Sequence, residues 1–187
     1  MKDIIIREAT EADACFAKLI SQEMESSAIA RGSGISKRSA ASLISKMKEG
    51  NAVIAVTPNN EWIGFSYIQV WANGEFVSNS GLIVSPAYRG KGVARLIKKK
   101  VFQLSREKYP AAKVFSITTG LAIMKLNARL GFGTVTFNEI PSDKKFWAGC
   151  KSCINYGILQ SKGRKNCLCT AMLYIPSAKQ KIKRAVA

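Results

Sequence analysis

Apolar residues recur along this chain at two spacings, and the switching between them predicts a mixed α/β architecture. Residues 4–7 form a short apolar run that reads as a first strand. Thr10 and Asp13 are spaced as a capping box, and Ala14, Phe16, Ala17, Ile20 and Met24 follow at helical spacing. Gly32 and Gly34 lie in a flexible link. A second helix is expected over about 39–48, with Leu43, Ile44 and Met47 inward and Gly50 ending it. Residues 52–57 and 62–71 read as strands joined by the turn residues Pro58, Asn59 and Asn60. Asn73 and Gly74 form the strongest hairpin signal, and residues 75–84 return as the next strand. A helix from Gly92 to Lys108 is expected to turn Val93, Leu96, Ile97, Val101 and Leu104 to the sheet and Lys98, Lys99 and Lys100 mostly to solvent. A strand at 113–118, a helix at 120–130 closed by Gly131, a strand at 132–137 and a closing strand at 168–175 complete the pattern. The sum is one domain with about six or seven strands flanked by helices, without internal repeats.

The junction between the strand ending at Val84 and the helix beginning near Gly92 carries chemistry. Pro86 ends the strand because it has no N–H for a ladder. Arg89, Gly90, Lys91 and Gly92 form a short glycine loop directly before the helix. The first amides of a helix have no internal partner, and the helix dipole places partial positive charge there. Glycines allow close approach to the main chain. The loop therefore reads as a phosphate or pyrophosphate site. It matches neither G-x-x-x-x-G-K-[ST] nor G-x-G-x-x-G, so mononucleotide and dinucleotide loops of those kinds are excluded. An ordinary strand-to-helix turn is the alternative.

Composition bounds the rest. The chain has 187 residues, long enough for one domain with a substantial core, and 47% of them are hydrophobic. Twenty-nine lysines and arginines against 12 acids give a net charge of +17. Such a field attracts acidic ligands and polyanions, or is simply a solvated basic surface. There is no histidine, which excludes histidine bases and triads. No apolar run reaches the ~18 residues of a membrane span. The first residues, with Asp3 early and no long apolar region, do not read as a signal peptide. Five cysteines without an export signal read as reduced thiols or metal ligands, in a cytoplasmic setting.

Arg89-x-x-Gly92-x-Ala94, with Leu82 to Tyr88 before it and Leu130, Gly131 and Phe132 after the next helix, resembles the acetyl-CoA signature of the GNAT superfamily of acyl-CoA N-acyltransferases. The resemblance spans roughly residues 52–138. It implies a GNAT-like mixed sheet and transfer of an acyl group, typically acetyl, from its CoA thioester to an amine by direct attack. By the same resemblance, Leu82, Ile83 and Val84 pair with pantetheine and polarise the thioester carbonyl. Amides around Arg89, Gly90, Lys91, Gly92, Val93 and Ala94 hold the pyrophosphate. Thr119 stands near a position where the family often has a cofactor-contacting asparagine. Asn127 takes the place of the family's general-acid tyrosine; its amide can donate a hydrogen bond to sulfur or pantetheine but cannot supply a proton. The strand at 76–84 carries no acid. Glu23, Glu25 and Glu139 are the candidate bases, or plain surface charge. The implied partner is a small-molecule or peptide amine, and the implied assembly is a monomer or homodimer. The alternatives are a non-catalytic CoA-binding or regulatory domain and a nucleic-acid binder using the basic surface.

Residues 139–169 hold Cys150-x-x-Cys153 and Cys167-x-Cys169, and are expected to form a cysteine-containing insertion or hairpin. C-x-x-C can chelate a tetrahedral ion from a turn, and residues two apart on a strand share a face. Structural zinc on Cys150, Cys153, Cys167 and Cys169 is one reading, with Lys144, Lys145, Lys151, Arg164 and Lys165 offsetting its charge. Free cysteines and thiol chemistry are the others. Phe146, Trp147 and Tyr156 would line the acceptor site or pack the core. Residues 177–187 read as a basic frayed tail.

Overall fold

The period-two segments pair into one seven-stranded sheet in a computed structural model that describes residues 4–141 and 143–177. All but the first residue of the expected basic tail lie outside the described residues. β1 (Ile5–Glu8) is followed by a 3-10 turn, α1 (Ala17–Ala30) and α2 (Ala40–Lys48). β2 (Ala52–Val56), β3 (Trp62–Trp71) and β4 (Phe76–Val84) then run antiparallel. α3 (Val93–Lys108) leads to β5 (Lys113–Thr118), α4 (Leu121–Arg129) and β6 (Gly133–Val135). α5 (Lys144–Ala148), α6 (Tyr156–Ser161) and β7 (Thr170–Tyr174) close the chain. The strand order is β1-β2-β3-β4-β5-β7-β6, with β4 and β5 the parallel pair.

The capping box forms as spaced: Asp13 accepts from the Thr10 amide at 2.8 Å and takes both Arg7 guanidinium nitrogens at 2.7 and 2.8 Å, tying β1 to the first turn. Helices cover both faces of the sheet. Ile20 and Met24 of α1 and Leu43 and Met47 of α2 pack on Ile54 and Phe65. Val93, Ile97, Val101 and Leu104 of α3 pack on Val53, Ile63, Ile68 and Val77 opposite. At roughly 1.5–3 kcal/mol per buried large side chain, these two layers set the sheet's orientation to its helices.

Three expectations are corrected. The described residues within 139–169 form two short helices and 3-10 turns, not a hairpin. Leu96 is 40% exposed, whereas Lys98 is buried at 2%. The buried face of α3 is rotated towards Lys98 and Ser105, one helical repeat of seven apart, because Asn79 of β4 gives both a polar partner.

Two departures from regular pairing position the site. Between Phe65↔Ile83 and Tyr67↔Ser80 the β3–β4 register shifts, leaving Gly81 and Leu82 opposite Ser66. Gly81 sits at φ +64, and a Cβ there would lie 2.6 Å from the Tyr67 ring and 3.0 Å from the Met24 methyl. Only glycine fits this bulge. Further on, β4 and β5 pair only from Phe76↔Lys113 to Ser78↔Phe115. β5 continues on its other edge with β7 as far as Thr118↔Thr170. From Asn79 onward the two parallel strands have parted.

Candidate active site

The parted strands leave the β5-facing edge of β4 open. Ser85 N–H donates to the Ile63 carbonyl at 2.8 Å, so its backbone faces β3. By alternation Ile83 does the same, while the peptide groups of Val84 and Leu82 point into the gap. The Val84 carbonyl accepts Arg89 Nε at 3.0 Å. Of the three strand residues expected to meet pantetheine, Leu82 and Val84 present backbone groups to the gap. Ile83 instead packs its side chain towards α1 and α2.

The gap leads to the glycine loop. Gly90 and Gly92 have φ of +75 and +78, and a Cβ on either would meet nothing within 4 Å. Gly92 is the residue before α3 and no side chain caps that helix start. The Arg89 amide bonds the Pro86 carbonyl at 3.2 Å, but among the described residues no carbonyl takes the amides of Gly90, Lys91, Gly92, Val93 or Ala94. Five unpartnered N–H groups at the positive end of a 16-residue helix form an anion cradle. Lys91 stands beside it, donating to the Ala87 carbonyl at 2.9 Å.

Arg89 serves differently from its neighbours. Its guanidinium is turned back to Glu23 Oε1 at 2.7 Å and Ser27 Oγ at 2.5 Å. It therefore ties the end of β4 to α1, and Glu23 is its partner. Glu139 closes a capping box on Thr136 and lines a cleft with Glu75, Phe76 and Lys113, at the closed end of the β4–β5 pair. It is not brought to the cradle. Thr119 lies in the turn after β5, half-buried, leading into α4. Asn127 is fully buried on α4; its Nδ2 contacts Met172 Sδ at 3.6 Å, and its Oδ1 has no hydrogen-bond partner.

On the α1–α2 side a cleft of about 270 Å³ is lined by Ser21, Met24, Glu25, Ile35, Lys37 and Arg38, among others. Glu25 pairs with Lys37 at 2.9 Å. Arg38 donates from Nε to the Tyr67 hydroxyl at 2.5 Å and from a second nitrogen to the Ser36 carbonyl. Met24 and Tyr67 both reach Gly81, so this cleft abuts the β4 bulge. Its outer wall is fastened by the cysteine block: Ser36 Oγ bonds the Gly149 carbonyl, and the Lys37 amide donates to Ser152 Oγ at 2.9 Å. The sequence pattern does not single out Arg38, Tyr67 or Gly81. An isolated glycine within a strand is the one readable sign of the bulge.

All five cysteines are free thiols. Cys150, Cys167 and Cys169 pack against Phe115, Phe137 and Trp147. Burial, then the neighbouring thiols, pushes Cys150 up to about 11, and burial and Cys167 push Cys169 up likewise. Amides of Asn155 and Cys169 donate to the sulfurs of Cys153 and Cys167 at 3.4 and 3.3 Å. Among the described residues no group of three or more histidine, cysteine, aspartate or glutamate side chains is arranged to hold a metal ion, so the zinc reading finds no support. Among them, too, no helix is long and apolar enough to cross a membrane.

An open strand edge running into an uncapped helix start is a site for a long ligand with an amide-bearing arm and a phosphate end. Residues 43–132 match the family model described as the acetyltransferase (GNAT) family. Among solved structures, the N-acetylglutamate synthase of Neisseria gonorrhoeae, complexed with coenzyme A and N-acetyl-glutamate, is similar at TM-score 0.66 and 17% identity. That match covers 95% of this chain but 36% of the synthase, so the chain spans about a third of its length. Rv2747 from Mycobacterium tuberculosis, in complex with CoA and NLQ, aligns at TM-score 0.62 and 18% identity over 91% of this chain and 98% of that one. The putative acetyltransferase yncA of Salmonella typhimurium, with acetyl-CoA, aligns at TM-score 0.61 and 15% identity over 94% and 95%. No curated protein sequence matches. The chain thus has the GNAT acetyltransferase fold and carries the GNAT family signature over residues 43–132.

Proposed function

We propose that this chain moves an acetyl group from acetyl-CoA to the amine of a small-molecule or peptide acceptor by direct attack. One observation carries the reading: the open β4 edge leads at one end to the uncapped start of α3 and abuts, at Gly81, the cleft holding Arg38 and Glu25. Bound acetyl-CoA supplies an activated thioester. The amides of Gly90 to Ala94 hold the pyrophosphate, and the edge groups of Leu82 and Val84 align the pantetheine arm. In this reading N–H groups at the bulge polarise the thioester carbonyl. The buried, unpartnered Asn127 Oδ1 fits a ligand amide N–H.

The acceptor enters from the α1–α2 cleft. Arg38 and Lys37 favour an amine that also carries a carboxylate, and the N-acetyl-glutamate bound by the similar synthase makes amino acids a natural first panel. Glu25, in the same cleft and paired with Lys37, takes the ammonium proton in this reading, directly or through water. A non-catalytic CoA-binding domain is the second reading, because α4 bears Asn127 in place of a hydroxyl acid.

The test is acetyl-CoA turnover on a panel of free amino acids, short peptides and amines lacking a carboxylate. We expect turnover on carboxylate-bearing amines, with KM raised about tenfold by Arg38→Ala, ~1.4 kcal/mol of binding. Tight CoA binding with no turnover on any amine would establish the second reading instead.

A further inference from the structure

Lys98 is a buried ionisable group that neither the CoA cradle nor the acceptor cleft uses. It lies on α3 with 2% of its surface exposed, and none of the ion pairs among the described residues includes it. Its Nζ donates to Asn79 Oδ1 at 3.2 Å and stands 5.1 Å from the centre of the Phe132 ring. Asn79 is held from its other end, giving an N–H to Ser105 Oγ at 2.7 Å. A buried ammonium has three donors, and only this one hydrogen bond engages them among the described residues.

Its place in the sheet gives it meaning. Asn79 follows Ser78, the last β4 residue paired with β5, so Lys98 sits at the apex where the strands part. Across the gap, Asn127 lies over Met172, which pairs with Ser116 of β5 just beyond the last β4–β5 pair. Asn127 offers a buried acceptor with no donor; Lys98 offers buried donors with no further acceptor. The two are buried on α4 and α3, and Phe132 stands between them: its amide donates to the Asn127 carbonyl at 3.2 Å and its ring lies under Lys98 Nζ. Buried polar groups left unmet on both walls of a gap point to a polar group of the ligand between them.

We propose that Lys98 is the proton donor to the sulfur that leaves when the thioester is cleaved. This rests on the acetyl-transfer reading. The acceptor amine forms the new C–N bond; the C–S bond breaks and its electron pair stays on sulfur. Lys98 gives that sulfur a proton and becomes a neutral amine. The proton lost by the acceptor nitrogen passes to solvent, and Lys98 regains one from solvent, so amine and thioester become amide and thiol. The role falls to α3 because α4 carries Asn127, which has no proton to give.

Burial pushes the Lys98 ammonium down from 10.5 to about 7, which suits a group that must release and regain a proton near neutrality. No charge counters this. β4 has no ionisable residue, β3 has only Tyr67, which faces α1, and the 130–133 segment presents the Phe132 ring. Arg95 and Lys99 on α3, and Lys125 and Arg129 on α4, point to solvent. Because the folded value is depressed, the unfolded chain binds the extra proton between pH 7 and 10.5, and this group adds stability as pH rises through that window.

The test uses CoA and the intact chain. The Lys98 ε-signal is titrated by NMR with and without CoA, and the ultraviolet absorbance of the bound thiolate is followed against pH. We expect a Lys98 midpoint near 7 and a bound thiol that titrates below its ordinary pKa of about 8.5 but still above Lys98, so that the proton passes from nitrogen to sulfur. Lys98→Met should return the thiol to its ordinary titration, raise the melting temperature at pH 7, and lower kcat about a hundredfold with KM for acetyl-CoA little changed. Lys98→Arg, which holds its proton, should keep the thiol shift and lose kcat. A bound thiol that titrates identically in wild type and Lys98→Met would overturn the proposal while leaving acetyl transfer standing. Failure to bind CoA at all would end both.

Discussion

The starts of α2 and α3 are two solutions to one problem, and the difference between them locates the site. At α2, Ser39 has extended backbone angles and its hydroxyl accepts the Ser42 amide at 3.2 Å. At α3, Gly92 takes a left-handed conformation, no side chain caps the turn, and the amides from Gly90 to Ala94 are left without carbonyl partners. A helix that closes its own first turn is stable by itself and binds nothing there. One that leaves it open forgoes ~1 kcal/mol of capping and keeps its dipole for an anion. The same contrast holds in the sheet, where β2 pairs with β3 over the whole of β2 while β4 gives up its β5 edge after Ser78. The proposed site lies where the fold leaves its own hydrogen bonds unmade.

The sharpest way to break the comparison is to give α3 a cap of its own. In Gly92→Asp a carboxylate is set beside the first amides, at the cost of a side chain strained at φ +78, and places negative charge where the pyrophosphate belongs. We expect CoA affinity, measured by calorimetry, to fall about a hundredfold, ~2.8 kcal/mol, while the melting temperature moves by no more than a few degrees. A variant that binds CoA as tightly as the wild type would show that α3 is not the anion site.

How far each helix start can be read from the chain follows from how local its physics is. Caps, glycine loops and strand periodicity act within about four residues, so Ser39, the Thr10–Asp13 box and the loop from Arg89 to Ala94 are legible in sequence. The cradle needs only backbone, and glycines announce it. The acceptor cleft is not legible because it is assembled from Arg38, Tyr67, Met24 and the block at Gly149–Ser152, which only the fold brings together. The helical pattern misplaces Lys98 because charge on a helix ordinarily means solvent, and its burial depends on Asn79, nineteen positions earlier, and on Phe132. The signature arginine is legible as a residue but not in what it does, since Arg89 serves α1 through Glu23 rather than the cradle. Cysteine spacing suggests a metal that the arrangement of the four thiols does not support.

A smaller effect separates formal charge from backbone within the loop. Lys91 is exposed, and its Nζ leans over the Tyr88 ring at 5.4 Å while bonding the Ala87 carbonyl. Its contribution to phosphate binding is therefore screened by solvent and salt. Lys91→Ala is expected to weaken CoA about threefold to fivefold at low ionic strength, and less at high salt. A loss as large as that of Gly92→Asp would mean that the lysine, not the helix start, holds the anion.

The smallest change is expected at the closed helix start. Ser39→Ala removes the hydroxyl that accepts the Ser42 amide but leaves α2 its buried face of Leu43 and Met47. The cost is one cap, ~1 kcal/mol, or about 2–4 °C in melting temperature for a chain of this size. Because α2 lies on the opposite side of the sheet from α3 and its amides take no part in the cradle, CoA affinity should be unchanged. Ser39 does line the α1–α2 cleft, so any kinetic effect should fall on KM for the acceptor amine rather than for acetyl-CoA. If Ser39→Ala weakened CoA binding as well, the two helix starts would be energetically coupled through the sheet. The anion site would then depend on the stability of the opposite layer as well as on its own unpartnered amides.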